Sequence, residues 1–178
     1  LASSAASDVY KRQYYDSLTA EIAALLDAAH GHALVLFTSY AAMSAVKERL
    51  REQDLAYPLF TLGRNAVHTT KQFKSTPGGV LLATGAAWEG FDFPGDCVSL
   101  LVIPRLPFPI PDALKEKERE QYPTLHSFLR GIVVPEMQIK LKQGFGRAIR
   151  LETDTCVVAI LDERCLLYTS DPADEARS

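Results

Sequence analysis

Ala33-Leu34-Val35-Leu36-Phe37-Thr38-Ser39 is a short unbroken apolar run closed by two hydroxyl residues. A run of this length without period-2 alternation predicts a strand buried on both faces, as in a parallel sheet. Upstream, Leu18, Ile22, Leu25, Leu26 and Ala29 recur at helical spacing over 14–29, and Gly31 falls where a C-terminal cap belongs. Downstream, Ser39 is placed to cap a helix over about 40–52 that carries Met43, Val46 and Leu50 on one face. Further strands are expected at 58–62, 80–83, 98–103 and 155–161, with a helix at 65–75 broken by Gly78-Gly79. Pro104 to Pro111 reads as extended, because proline restricts its own backbone and that of the residue before it. A charged helix at about 112–121 and a short one to about Arg130 follow. Pro135 then fits the first turn of a helix reaching about 150. Strands alternating with helices define an α/β chain with a mostly parallel sheet. Such sheets bind ligands at the carboxyl ends of their strands, so the loops after Phe37, Ala83 and Ile103 are the informative ones.

The chain has 178 residues and a net charge of −3, enough for one core and too acidic for a global nucleic-acid-binding field. Any such contact must come from a local patch or from backbone N–H groups. No apolar run approaches the ~18 residues that suggest a membrane span. Cys97, Cys156 and Cys165 are far apart and form no CxxC, which disfavours a disulfide framework or a zinc site and fits a reducing, cytoplasmic setting. Ser7 to Gln13 and Cys165 to Asp171 lack the periodicity of their neighbours and resemble translated sequencing-adapter stretches. Residues 1–13 and 165–178 are therefore expected to be a non-native or disordered leader and tail around a folded domain at 14–164.

Three motifs carry chemistry. In Gln143-Gly144-Phe145-Gly146-Arg147-Ala148-Ile149-Arg150, Gln143, Arg147 and Arg150 share one helix face. Two forked, permanently charged guanidiniums suit a polyphosphate, although on spacing alone the face is equally a solvated one. Gly144 and Gly146 cost a helix roughly 1 kcal/mol each, which points to a close approach to the backbone. Thr84-Gly85-Ala86-Ala87-Trp88-Glu89-Gly90-Phe91-Asp92 follows a strand directly, and Thr84 and Gly85 there suit a phosphate. The plainer alternative is a glycine-containing loop around a buried Trp88. Thr38 and Ser39 suit a phosphate too, or serve simply as a helix cap.

Taken together, these motifs resemble motifs IV, V and VI of superfamily 2 helicases, in that order along the chain. TxxxxxGxD is met by Thr84, Gly90 and Asp92, and QxxGRxxR by Gln143, Gly146, Arg147 and Arg150. The Trp88-to-Asp92 version and the loop Arg105-Leu106-Pro107-Phe108-Pro109 are similar to the DinG/XPD branch. The resemblance covers about residues 14–164. It implies a RecA-like three-layer sandwich, the second motor domain of an ATP-dependent DNA helicase. It also implies roles. Arg147 and Arg150 act as arginine fingers, with Gln143 positioning nucleotide and water. Glu89, Gly90, Asp92 and Gly146 face the nucleotide, and Thr38, Ser39, Thr84 and Gly85 touch DNA backbone phosphates. ATP and Mg2+ are shared with an N-terminal motor domain, which in this family also carries any iron–sulfur cluster. Single-stranded DNA is the expected partner.

No GxxxxGK[ST] occurs, so the chain alone is not expected to hydrolyse ATP. Val157 to Glu163 mimics a Walker B strand, and Asp174-Glu175-Ala176-Arg177 an acidic box. Without a phosphate loop both read as coincidences. His30 and His32 flank Gly31 and read as cap and linker rather than a metal pair. Lys115 to Glu120 mixes signs and reads as a solvated helix face. Aromatic residues near the proline-rich loop are candidates for packing or for stacking on bases. Two other readings stay open on residues alone: a Rossmann-type nucleotide-binding enzyme, though the loop after Ala83 lacks GxGxxG, and a non-catalytic single-stranded nucleic-acid-binding module.

Overall fold

The Ala33–Phe37 run forms β1, and every residue in it is buried because the strand lies at the centre of a sheet covered on both faces. The computed structural model describes residues 2–63, 65–88, 90, 98–149 and 155–164. Among them the strands are β1, β2 (Leu59–Thr61), β3 (Val80–Thr84), β4 (Leu100–Ile103) and β5 (Val157–Ile160). They lie in the order β2-β3-β1-β4-β5, and every ladder is parallel. Parallel neighbours need crossovers, and the helices supply them. These are α1 (Ala2–Ala28), α2 (Tyr40–Glu52), α3 (Ala66–Ser75), α4 (Ala113–Glu120), α5 (Leu125–Phe128) and α6 (Val134–Ala148).

Alternation along β1 divides the core. Ala33, Val35 and Phe37 meet Leu18, Ile22 and Leu26 of α1 and Met43, Val46 and Leu50 of α2. Leu34 and Leu36 point the other way, into a cluster with Phe73 of α3, Trp88 and Ala148 of α6. The result is the three-layer α/β sandwich expected from the alternation of strands and helices. Among the described residues, no helix is long and apolar enough to cross a membrane.

Local signals explain most boundaries. Ser39, in an extended conformation, accepts the Ala42 N–H at 3.2 Å and starts α2. Gly31, at φ +76°, donates to the Leu26 carbonyl after α1, and a Cβ there would collide with the Gly78 carbonyl. His32, beside it, accepts the Gly78 N–H on Nε2.

Two expectations change. The helix expected from residue 14 begins at Ala2 and includes the stretch read as a leader. Pro135 stands in the first turn of α6, as its sequence context predicts, but α6 has no free start. α5 runs through a π turn at Leu129–Val133 straight into α6. Proline removes one backbone donor and crowds the carbonyl four residues earlier, and a wide π turn relieves both. That helix ends at Ala148, with Ile149 already extended.

Candidate functional site at the carboxyl edge of the sheet

The three motifs meet around Trp88. β3 ends at Thr84, paired with Phe37 of β1. Gly85 then turns at φ +60°, a conformation that favours glycine, with open space where a Cβ would lie. The 3-10 turn Gly85–Trp88 carries the indole back under the sheet. Trp88 is fully buried and its Nε1 donates to the Phe37 carbonyl at 2.9 Å. That carbonyl immediately precedes Thr38. The same ring packs on α6, where a Cβ added at Gly144 would lie 2.8 Å from indole Cζ3 and 3.4 Å from Leu36. One side chain thus touches the ends of β1 and β3 and the helix that bears Gln143 and Arg147.

This arrangement bears out the close approach expected at Gly144, and the group that comes close to its backbone is an indole. Gly146 differs: among the described residues nothing lies within 4 Å of where a methyl would stand. Gln143 is exposed, and the half-buried Arg147 donates from Nε to the Gln143 carbonyl at 3.2 Å. The pair lies on one face of the last turn of α6, as the spacing required. Thr38 and Ser39 are exposed at the end of β1, and Thr84 is half-buried beside them. Gly90 is an exposed bend. Glu89, Asp92 and Arg150 lie outside the described residues.

Asp162 is legible in the sequence only as a Walker B look-alike, yet it organises this edge. Buried at the end of β5, it accepts the Leu106 N–H at 2.9 Å and pairs with Arg164 at 2.6 Å. Burial pushes its carboxyl up, but the Arg164 guanidinium and the Leu106 and Arg164 N–H groups outweigh that and hold it below the ordinary range. Its oxygens are taken by the Leu106 N–H of the loop after β4 and by the backbone and guanidinium of Arg164, which argues against a metal-binding role. Farther out, Lys115 of α4 bridges Glu118 and Glu136, and both contacts raise its pKa. The bridge to Glu136 ties α4 to α6, a role that the mixed-sign pattern of a solvated face does not reveal.

A five-stranded parallel sheet with hydroxyls and glycines at its carboxyl edge and helices on both faces is a RecA-like α/β fold. The helicase C-terminal domain family matches residues 22–171, so the chain belongs to that family. It is 37% identical over 145 residues to the ATP-dependent DNA helicase YoaA of Haemophilus influenzae, covering 80% of this chain and 23% of that protein. It is 36% identical over 147 residues to the ATP-dependent helicase DinG of Mycobacterium tuberculosis, covering 81% and 22%. The fold is similar to an apo XPD structure, with TM-score 0.63 and 24% identity over 87% of this chain and 32% of that one. It is also similar to Xpd4 of S. tokodaii, with TM-score 0.60 and 22% identity over 90% and 33%. The chain spans under a quarter of the length of these curated relatives.

Proposed function

We propose that this domain is the second motor domain of an ATP-dependent DNA helicase, working in the cytoplasm on single-stranded DNA. Residues 14–164 form the working unit, paired with an N-terminal motor domain that carries the phosphate loop and the magnesium-binding acid. ATP binding and hydrolysis at the junction supply the free energy for domain movement. Arg147 and Arg150 reach across as arginine fingers, and Gln143 orients nucleotide and water. Glu89, Gly90 and Asp92 line the nucleotide side, and the open backbone at Gly146 leaves room for a phosphate to approach. Thr38, Ser39, Thr84 and Gly85 grip the DNA backbone.

The observation that carries this reading is the Trp88 junction. The indole holds the Phe37 carbonyl and the Gly144 backbone at once. A shift of α6 in response to nucleotide therefore reaches the hydroxyls after β1 through a single rigid ring. Packed interiors transmit such shifts because they deform little.

The chain alone is expected to hydrolyse no ATP. In the two-domain helicase, Arg150→Ala should lower DNA-stimulated ATP hydrolysis by roughly 10³-fold. Undiminished turnover would remove the finger assignment. The single-stranded binding module would be favoured instead if the complete protein bound DNA tightly with no nucleotide dependence.

A further inference from the structure

The sheet edge brings a residue outside the three motifs beside them. Phe37 pairs with Thr84, and Val35 with Val102. The ends of β3, β1 and β4 thus form a row: Thr38 follows Phe37, and Arg105, two residues past β4, lines one cleft with Thr38 and Ser39. Strands lie about 4.8 Å apart, so the row is about 10 Å long across the strand ends. Arg105 is exposed. Its Nε donates to the Tyr14 hydroxyl at 3.0 Å, and its guanidinium lies 4.8 Å over the Tyr14 ring. Among the described residues it meets no carboxylate.

Two further features favour a ligand here. The backbone after Arg105 is fixed, because Leu106 is buried and its N–H is held by Asp162. Asp162 itself stands at the end of β5, and Arg164 offsets its charge. The cationic end of the row is therefore not cancelled by its acidic neighbour. Beside it opens a cleft of about 550 Å³ lined by Tyr14, Thr38, Ser39, Arg105, Phe108 and Pro109. It mixes hydroxyl, cationic, aromatic and proline groups, with the Arg164 guanidinium 4.7 Å over the Phe108 ring. That mixture suits a phosphate next to an unstacked base, the chemistry of a single strand.

We propose that the nucleic-acid track crosses the sheet edge from β3 through β1 to β4, with Arg105 as its cationic anchor on a single-stranded DNA phosphate and Phe108 and Pro109 flanking the adjoining base. This rests on the single-stranded DNA reading above. Arg105 supplies the local positive charge that a chain of net charge −3 needs for such binding. Tyr14 holds the guanidinium over its ring and limits its rotamers, so less freedom is lost on binding.

The test is fluorescence anisotropy of a labelled oligothymidylate of about 12 nucleotides, titrated with this chain from about 50 to 200 mM salt. Arg105→Ala should weaken binding several-fold and reduce the slope of log K against log salt by about 0.7. Arg105→Lys should keep the slope. Phe108→Ala should weaken binding with the slope unchanged. Arg51→Ala, an exposed charge in the last turn of α2 at the opposite edge, should change neither. Emission from Trp88, the sole tryptophan of the chain, confirms that each variant is folded. A wild-type slope in Arg105→Ala with binding retained overturns the Arg105 assignment alone. Absence of any oligonucleotide binding by the folded wild-type chain overturns this proposal together with the DNA reading beneath it.

Discussion

Gly144 and Gly146 stand two positions apart on α6 and face opposite circumstances. Gly144 is buried against the Trp88 indole, where even a methyl would collide. Gly146 has open space where a methyl would go. Both carry the same helix penalty of roughly 1 kcal/mol relative to alanine. Packing accounts for the first and leaves the second unexplained by the fold. The difference separates what the motif does for the domain from what it leaves over: Gly144 seats the helix against Trp88, and Gly146 makes no such contact among the described residues.

The sharpest break of that contrast is Trp88→Ala. It empties a fully buried aromatic site and leaves the Phe37 carbonyl without its donor, so a loss of about 3–5 kcal/mol is expected. For a domain of this size that lowers the thermal midpoint by roughly 10 °C, readable by circular dichroism. Gly144→Ala comes next. The new methyl must displace the ring, at about 1–3 kcal/mol, part of which improved helix propensity returns. An unchanged midpoint would mean that the indole does not seat α6.

Asp162→Asn should cost about 1–2 kcal/mol near neutral pH, since the Arg164 pair is lost while an acceptor for Leu106 remains. Its pH dependence is the better signature. The folded carboxyl titrates below its ordinary value near 3.9, so the stabilisation is full above that value. It is lost as pH falls through the depressed folded pKa. Denaturant titrations of Asp162→Asn below about pH 4 should therefore lose less stability than those of the native chain. The smallest effect belongs to Gly146→Ala, which should stabilise the chain by about 0.5–1 kcal/mol. Destabilisation there would erase the distinction between the two glycines.

Local signals carry far in this chain. The β1 run, the Ser39 cap and the Gly31 turn can all be read from neighbouring residues, and the three-layer arrangement follows the alternation they set. The reason for Gly144 cannot be read that way, because it lies on Trp88 of another motif. Pro135 does mark the first turn of α6, but the π turn that joins α5 to it has no local signal in the sequence. Asp162 resembles a metal ligand because a strand followed by an acid is ambiguous until the Leu106 N–H is placed beside it. Arg105 sits in a proline-rich loop, and only the fold brings it into one cleft with Thr38. Gln143 and Arg147 are found by helical spacing and do share a face.

The most direct measurement is DNA-stimulated ATP hydrolysis by the two-domain helicase bearing Arg147→Lys, with the thermal midpoint recorded on the same sample. Lysine keeps the charge and loses the planar fork. An outward-facing finger predicts a fall in turnover approaching 10³-fold with the midpoint essentially unmoved. Turnover within a few-fold of the native enzyme, or a loss that merely tracks a lowered midpoint, would contradict it.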